Sequence, residues 1–278
     1  MLDFGEEAQL VPTYVPVNKG ISALGASMNI RVILSSILVI VFSFNSMAES
    51  KSASDIQITK IDDGVWLHTS FYIYPNGVKF PSNGLIIKEG QSLTLIDTAW
   101  GELQTVNLLS AIESQIKLPV TKALVTHAHS DRASGVDILE SKGIKVFSHP
   151  LTKQLTIEQG APVPDNVINE LKEVGSLIKF GSFEVFFPGA GHAMDNLMVW
   201  LPERKILFGG CAIRSFDAKS VGNIAHGDIN SWLKITKQLK DKYKDATIVV
   251  PGHGDIGGFE LFVHTEKLIQ DKVNANEN

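Results

Sequence analysis

Two histidines and an aspartate fall at alternate positions in Thr126-His127-Ala128-His129-Ser130-Asp131-Arg132, directly after the apolar run at 120–125. In extended backbone, residues two apart face the same side, so His127, His129 and Asp131 are expected to share one cavity; on a helix they would splay. Three more residues of ligand type follow apolar runs in glycine-rich turns. They are His192 in Pro188-Gly189-Ala190-Gly191-His192, Cys211 in Phe208-Gly209-Gly210-Cys211 and His253 in Val250-Pro251-Gly252-His253-Gly254. Glycine lets the backbone approach closely or take positive φ, as loops that wrap an ion require.

Imidazole, thiolate and carboxylate are the usual zinc ligands, and a catalytic zinc keeps three protein ligands and leaves a position for water. The six residues divide into two such sets: His127, His129 and His192 as an all-nitrogen site, and Asp131, Cys211 and His253 as a mixed one. Two zincs about 3.5–4 Å apart would share and activate one water for hydrolysis. A single cysteine cannot form an internal disulfide, so by count alone Cys211 is an inert buried thiol, an intermolecular linker or a ligand, and it is its place among the other five residues that favours the ligand. The histidines at 68, 149, 226 and 264 have no comparable partners in the sequence and are read as ordinary core or surface residues.

The elements that must position these residues follow from pattern. Short strands are expected at 56–61 and 65–69 around Asp62-Asp63-Gly64, and at 84–88 and 92–97 around Glu89-Gly90. Between them, Phe71, Tyr72, Tyr74 and Phe80 flank Pro75-Asn76-Gly77, the pattern of a turn between two aromatic arms that could form a flap. Apolar residues three and four apart predict a helix over 102–116, followed by the strand 120–125, a helix over 134–142 and a strand at 145–148. Four further strand-like runs at 175–180, 182–187, 197–201 and 205–208 precede a helix around 229–239, a strand at 247–250 and a closing helix at 260–270. Strands then helices, twice over, predict an α/β fold with two sheets packed face to face and helices outside, in one domain.

Composition narrows the partners. With 44% hydrophobic residues the 278-residue chain can bury a large core, and a net charge of −5 without a dense lysine–arginine cluster gives no footprint for nucleic acid. Residues 28–48 begin with Met28-Asn29-Ile30-Arg31, continue apolar to Phe44 and end in Ser46-Met47-Ala48, the pattern of a secretory signal cleaved after Ala48. The apolar run is too short for the roughly 20 residues of a membrane span, so no membrane attachment is expected after cleavage. Residues 1–27 precede this pattern and are expected to be an upstream or misassigned-start segment, leaving 49–278 as the folded domain.

His127-Ala128-His129-Ser130-Asp131, with His192, Cys211 and His253 downstream, resembles the metal signature of the metallo-β-lactamase superfamily, and Cys211 resembles the mixed-site ligand of the first subclass of class B β-lactamases. The segment Leu95-Ile96-Asp97-Thr98-Ala99-Trp100-Gly101 is similar to that family's strand-end segment, and Ser220-Val221-Gly222-Asn223 to its substrate-side loop. The resemblance covers residues 56–270 and implies a four-layer αββα sandwich with a two-zinc cleft at its edge. It implies a periplasmic enzyme hydrolysing the amide of penicillins, cephalosporins and carbapenems; a monomer is expected separately, since nothing in the sequence gives an oligomeric state. In that scheme Asp131 and Asn223 assist the reaction, Arg214 and Asn223 grip the substrate, and Phe71, Tyr72, Tyr74 and Trp100 line it. Arg132 and Asp97 support the ligands from behind. Thioesterase-type relatives carry histidine after the motif's aspartate, where this chain has Arg132, so a thioester or lactone hydrolase is the second expectation and a non-catalytic zinc protein the third.

Overall fold

Alternation along the strands sends successive apolar residues to opposite faces, and this protein buries both faces. The structure, a computed structural model, describes residues 56–277; the expected leader at 28–48 and the segment 1–27 lie outside the described residues. The first sheet runs in chain order through β1 (Gln57–Asp62), β2 (Val65–Ile73), β3 (Lys79–Glu89), β4 (Ser92–Ile96), β5 (Val120–Val125), β6 (Lys145–Ser148) and β7 (Asn166–Val167). Its first four strands are antiparallel hairpins and its last four pair in parallel. The second sheet holds β8 (Leu177–Phe180), β9 (Phe183–Phe186), β10 (Met198–Leu201), β11 (Ile206–Gly210) and β12 (Ile248–Pro251), ordered β12-β11-β10-β9-β8.

Leu85, Ile87, Ile96 and Leu124 of the first sheet meet Val185, Val199, Phe208 and Val250 of the second in a core between the sheets. The alternate residues Ile86, Leu95, Ala123 and Val125 face outward and are covered by Leu108 and Ile112 of α1 (Glu102–Gln115) and by Val136 and Leu139 of α3 (Val136–Ser141), which follows a one-turn α2 (Ser130–Ala133). Leu207 and Val249 are covered by Leu239 of α5 (Ile229–Lys242) and Leu261 and Phe262 of α6 (Glu260–Glu277), which follow α4 (Pro150–Glu158). The layers are therefore αββα, as expected. Each large apolar side chain so buried contributes about 1.5–3 kcal/mol, and a one-residue slip would turn a whole strand inside out, so the register is strongly fixed.

The helices depart from expectation in two places. The helix expected over 134–142 is two short helices, α2 and α3, hinged at Ser134 and Gly135. The helix α4 was not foreseen, because the residues it buries are Thr152 and Thr156, so its inward face shows no apolar period. His149 caps it, its Nδ1 accepting from the Leu151 amide at 2.9 Å while Nε2 donates to the Leu171 carbonyl at 2.8 Å. That histidine is structural, as expected.

Candidate metal centre

The strands deliver their ligands at one edge of the sandwich. Beyond β5, the carboxylate of Asp97 at the end of β4 accepts from the Thr126 amide at 2.7 Å and from its hydroxyl at 2.8 Å, pinning the residue before His127. Asp97 itself sits at φ 62, a left-handed conformation that aspartate tolerates better than most residues, and burial lifts its carboxyl to about 7 against the pull of Arg132 and the Thr126 bonds. On the other side of the loop, buried Asp195 accepts from the Ala128 amide at 2.9 Å and from the Thr152 hydroxyl at 2.7 Å, tying the loop to α4. Sequence reasoning missed Asp195, whose only signal is a carboxylate three residues after His192 in a loop otherwise read for its histidine.

His127, His129 and His192 converge from three directions, with their ligand nitrogens within 4.8 Å of one another. His129 Nδ1 lies 3.1 Å from His127 Nε2 and 3.2 Å from His192 Nε2. A ring nitrogen has one lone pair or one hydrogen to offer, so hydrogen bonding leaves one of these contacts unsatisfied, whereas a cation at the centre satisfies all three. Zinc–nitrogen bonds of about 2.0–2.1 Å in a tetrahedral arrangement put neighbouring nitrogens about 3.3–3.4 Å apart, close to the spacing seen. Burial holds His129 down at about 4 and keeps His127 and His192 well below the ordinary imidazole range, which leaves all three neutral and ready to ligate.

Asp131, Cys211 and His253 form the second convergent set. Cys211 Sγ is 3.5 Å from Asp131 Oδ2 and 3.3 Å from His253 Nε2, and that nitrogen is 3.3 Å from Asp131 Oδ2. His253 Nδ1 faces the Pro81 carbonyl at 2.6 Å, so Nδ1 carries the hydrogen and Nε2 presents its lone pair to a carboxylate and a sulfur. Three electron-rich atoms facing one another call for a cation between them, and both sets fit zinc by ligand type and spacing. Asp131 joins Cys211 and His253 as expected, but the expectation that extended backbone carries it to one side with His127 and His129 is corrected here. His129 is extended, at φ −73 and ψ 155, but Asp131 lies in the first turn of α2, and that turn swings its carboxylate out of the all-histidine group into the second one.

Arg132 lies fully buried behind this second group. Its Nη2 donates to Cys211 Sγ at 2.9 Å and to the Gly252 carbonyl at 2.8 Å, Nη1 donates to the Asn83 carbonyl and lies 3.4 Å from Asp97, and Nε lies 3.0 Å from Asp131 Oδ2. Burial alone would raise the Asp131 carboxyl, but this guanidinium, helped by His253, holds it well below the usual carboxylate range. Burial likewise pushes the Cys211 thiol up, and Arg132 is the chief group opposing that rise.

The profile of the Metallo-beta-lactamase superfamily matches residues 77–253, a stretch that contains every one of these ligands. The chain belongs to the metallo-β-lactamase superfamily. It is 38% identical over 217 residues to the metallo-beta-lactamase type 2 of Bacillus sp. (strain 170), covering 77% of this chain and 82% of that one. Among solved structures it is similar to a metallo-beta-lactamase from Hirschia baltica, at TM-score 0.74 and 35% identity over 77% of this chain and 97% of that one. It is also similar to one from Pseudomonas aeruginosa in a mono-zinc form, at TM-score 0.73 and 32% identity over 78% and 96% of the two chains.

Around this superfamily site the remaining expected residues are not all gathered. Tyr74, Tyr72, Trp100 and Phe80 form a continuous wall, with ring centroids 4.9, 5.2 and 6.0 Å apart along it, and Phe80 stacks on the His253 imidazole at 4.7 Å. Phe80 belongs to this wall as much as the three residues expected there. Phe71 lies on the opposite face of β2, under the Lys79 ammonium at 6.0 Å, and its backbone is clamped by Gln104. Arg214 has a buried, unpartnered Nε and packs its guanidinium against Gly222, whose φ of +72 bends the substrate-side loop around it. Asn223 is exposed on that loop, its Oδ1 accepting from the Ala225 amide at 2.9 Å. His226, read from sequence as a bystander, stands 3.1 Å from His129, a contact that no local motif announces.

Proposed function

We propose that this protein is a zinc-dependent hydrolase that opens the β-lactam amide of penicillins, cephalosporins and carbapenems, and so confers resistance to them. The observation that carries the reading is the pair of convergent ligand sets, one all-nitrogen and one containing Cys211, in a chain whose relatives bear the name metallo-beta-lactamase. His127, His129 and His192 would hold one zinc and Asp131, Cys211 and His253 a second. Zinc there supplies Lewis acidity and brings a water's pKa down to about 7.

The chain's own residues do the rest. Asp131, ionised by its pairing with Arg132, accepts a hydrogen bond from the attacking water and fixes its direction. Asn223 turns its amide hydrogens toward the lactam carbonyl, stabilising the oxygen as charge develops. Arg214 supplies the cation for the substrate carboxylate; its planar guanidinium can make two parallel hydrogen bonds where an ammonium makes one. The wall of Tyr72, Tyr74 and Trp100 covers the apolar part of the substrate and keeps water from it. All six ligands come from one chain, so the site needs no second copy, and our reading is of a monomer.

The test is hydrolysis of a carbapenem, a cephalosporin, a penicillin and a thioester by purified 49–278, before and after chelation. The expected result is lactam opening that chelation abolishes and zinc restores. Thioester cleavage without lactam opening would assign the chain to the second hydrolase class, and two bound zincs without any hydrolysis would make it a zinc-binding protein.

Export to the periplasm belongs to the same reading and rests on the leader pattern at 28–48. Protein recovered from a periplasmic extract is expected to begin at Glu49. Recovery only from the cytoplasm, with the apolar segment still attached, would contradict it.

A further inference from the structure

One contact at the centre that the two ligand sets do not use joins the far nitrogen of His129 to a second histidine. With His129 Nδ1 turned to His127 and His192, its Nε2 points away from the cluster and lies 3.1 Å from Nδ1 of His226. The two rings are 5.2 Å apart at 47°, so this is an edge contact between nitrogens and not a stack. His226 is itself exposed, yet its backbone is held. The Gly227 amide donates to the Ile224 carbonyl at 3.0 Å, and the Asp228 amide to the Gly191 carbonyl at 2.9 Å, next to His192. A Cβ on Gly227 would come within 2.5 Å of the carbonyl oxygens of both Gly191 and His192, so the turn lies directly on the loop that carries a ligand. Asp228 then caps α5, accepting from the Asn230 and Ser231 amides at 3.0 Å. The turn that carries this surface imidazole is thus anchored at three points, which fixes its backbone beside the ligand loop.

A histidine that ligates through one nitrogen carries its hydrogen on the other, and the group that accepts this hydrogen fixes the tautomer and the ring's orientation. We propose that His226 is the positioning residue of the all-histidine site, accepting the His129 Nε2–H through its own Nδ1 and thereby setting the affinity of that site for zinc. The inference rests on the reading that His127, His129 and His192 bind metal. The acceptor is an imidazole, where carboxylates, backbone carbonyls and water are the usual partners. A neutral ring nitrogen adds no negative charge behind the ligand, so His129 is a weaker donor to the metal here than it would be beside a carboxylate.

The experiment is cobalt(II) titration of the full chain and of three variants at one pH, following the thiolate charge-transfer band, which reports the Cys211 site, and the visible ligand-field absorption left after the part that tracks that band is subtracted, which reports the site without sulfur. His226→Phe keeps a flat ring but no acceptor, and should weaken the sulfur-free site about 10–100-fold while leaving the thiolate band to titrate as before. His226→Asn places its Oδ1 where the imidazole has Nδ1, and should recover most of the loss. His226→Asp should bind at least as tightly as the natural residue. Unchanged binding in His226→Phe, or binding in His226→Asn as weak as in His226→Phe, overturns the inference alone. Absence of any visible absorption beyond the part that tracks the thiolate band in the unaltered protein overturns the reading of the all-histidine site, and this inference with it.

Discussion

Replacing Arg132 by methionine is expected to cost about 3–5 kcal/mol of stability, the range seen when one partner of a buried ion pair is removed. The guanidinium has no exposed surface and contacts two carboxylates, a sulfur and two backbone carbonyls. Methionine fills similar volume but leaves Asp97 and Asp131 buried without their cation, and removes the guanidinium donor from the carbonyls of Asn83 and Gly252, the latter keeping only the Asn83 amide. The second ligand set should loosen at the same time, because Arg132 is the chief group holding Asp131 ionised and it orients the Cys211 sulfur. Arg132→Lys should recover little, since one ammonium cannot span contacts that reach β3, α2 and the loops after β11 and β12. Denaturant unfolding of the zinc-free and zinc-loaded protein measures the cost. A loss below about 1 kcal/mol in the zinc-free protein would show that the buried guanidinium is replaceable by packing alone, as some buried ion pairs are.

The second large effect is expected at Cys211. Replacing it by serine removes the one soft ligand and should weaken the second zinc by roughly 10²-fold or more, since even the outer partners of a ligand typically control 10–100-fold. The all-histidine set shares no residue with it, so the first zinc should remain and hydrolysis should fall with the second zinc's occupancy. Zinc content after dialysis against graded chelator, read beside lactam hydrolysis, separates the two sites. Equal loss of both metals would mean that the two sets act as one unit and that the division drawn here is wrong.

Much of this site is legible in the chain because each ligand follows an apolar run. Val120–Val125, Ile206–Gly210 and Ile248–Pro251 are strands for the same reason that they are apolar, and all three end beside a ligand loop. The αββα layering is legible too, since Leu85, Ile86 and Ile87 alternate between the inter-sheet core and the helix-covered face. What failed was local geometry without an apolar signal: α4 buries threonines, and α2 is a single turn set off by nothing in its sequence.

The chain by itself determined the types of ligand, the loops that carry them and the two-sheet scaffold, because residue chemistry and hydrophobic period are local properties. The division into two sets was already expected from ligand type; the tertiary structure decided the route by which each ligand reaches its set. One turn of helix at Ser130–Ala133, not the extended backbone expected there, carries Asp131 to Cys211 and His253, which lie 80 or more positions along the chain. It likewise decided that Arg132 braces β3, α2 and two ligand loops at once, that Phe71 turns away from the aromatic wall while Phe80 joins it, and that His226 meets His129 across 97 positions. Those contacts depend on sheet register and on how separate loops pack at one edge, and both are set only when the whole core is assembled.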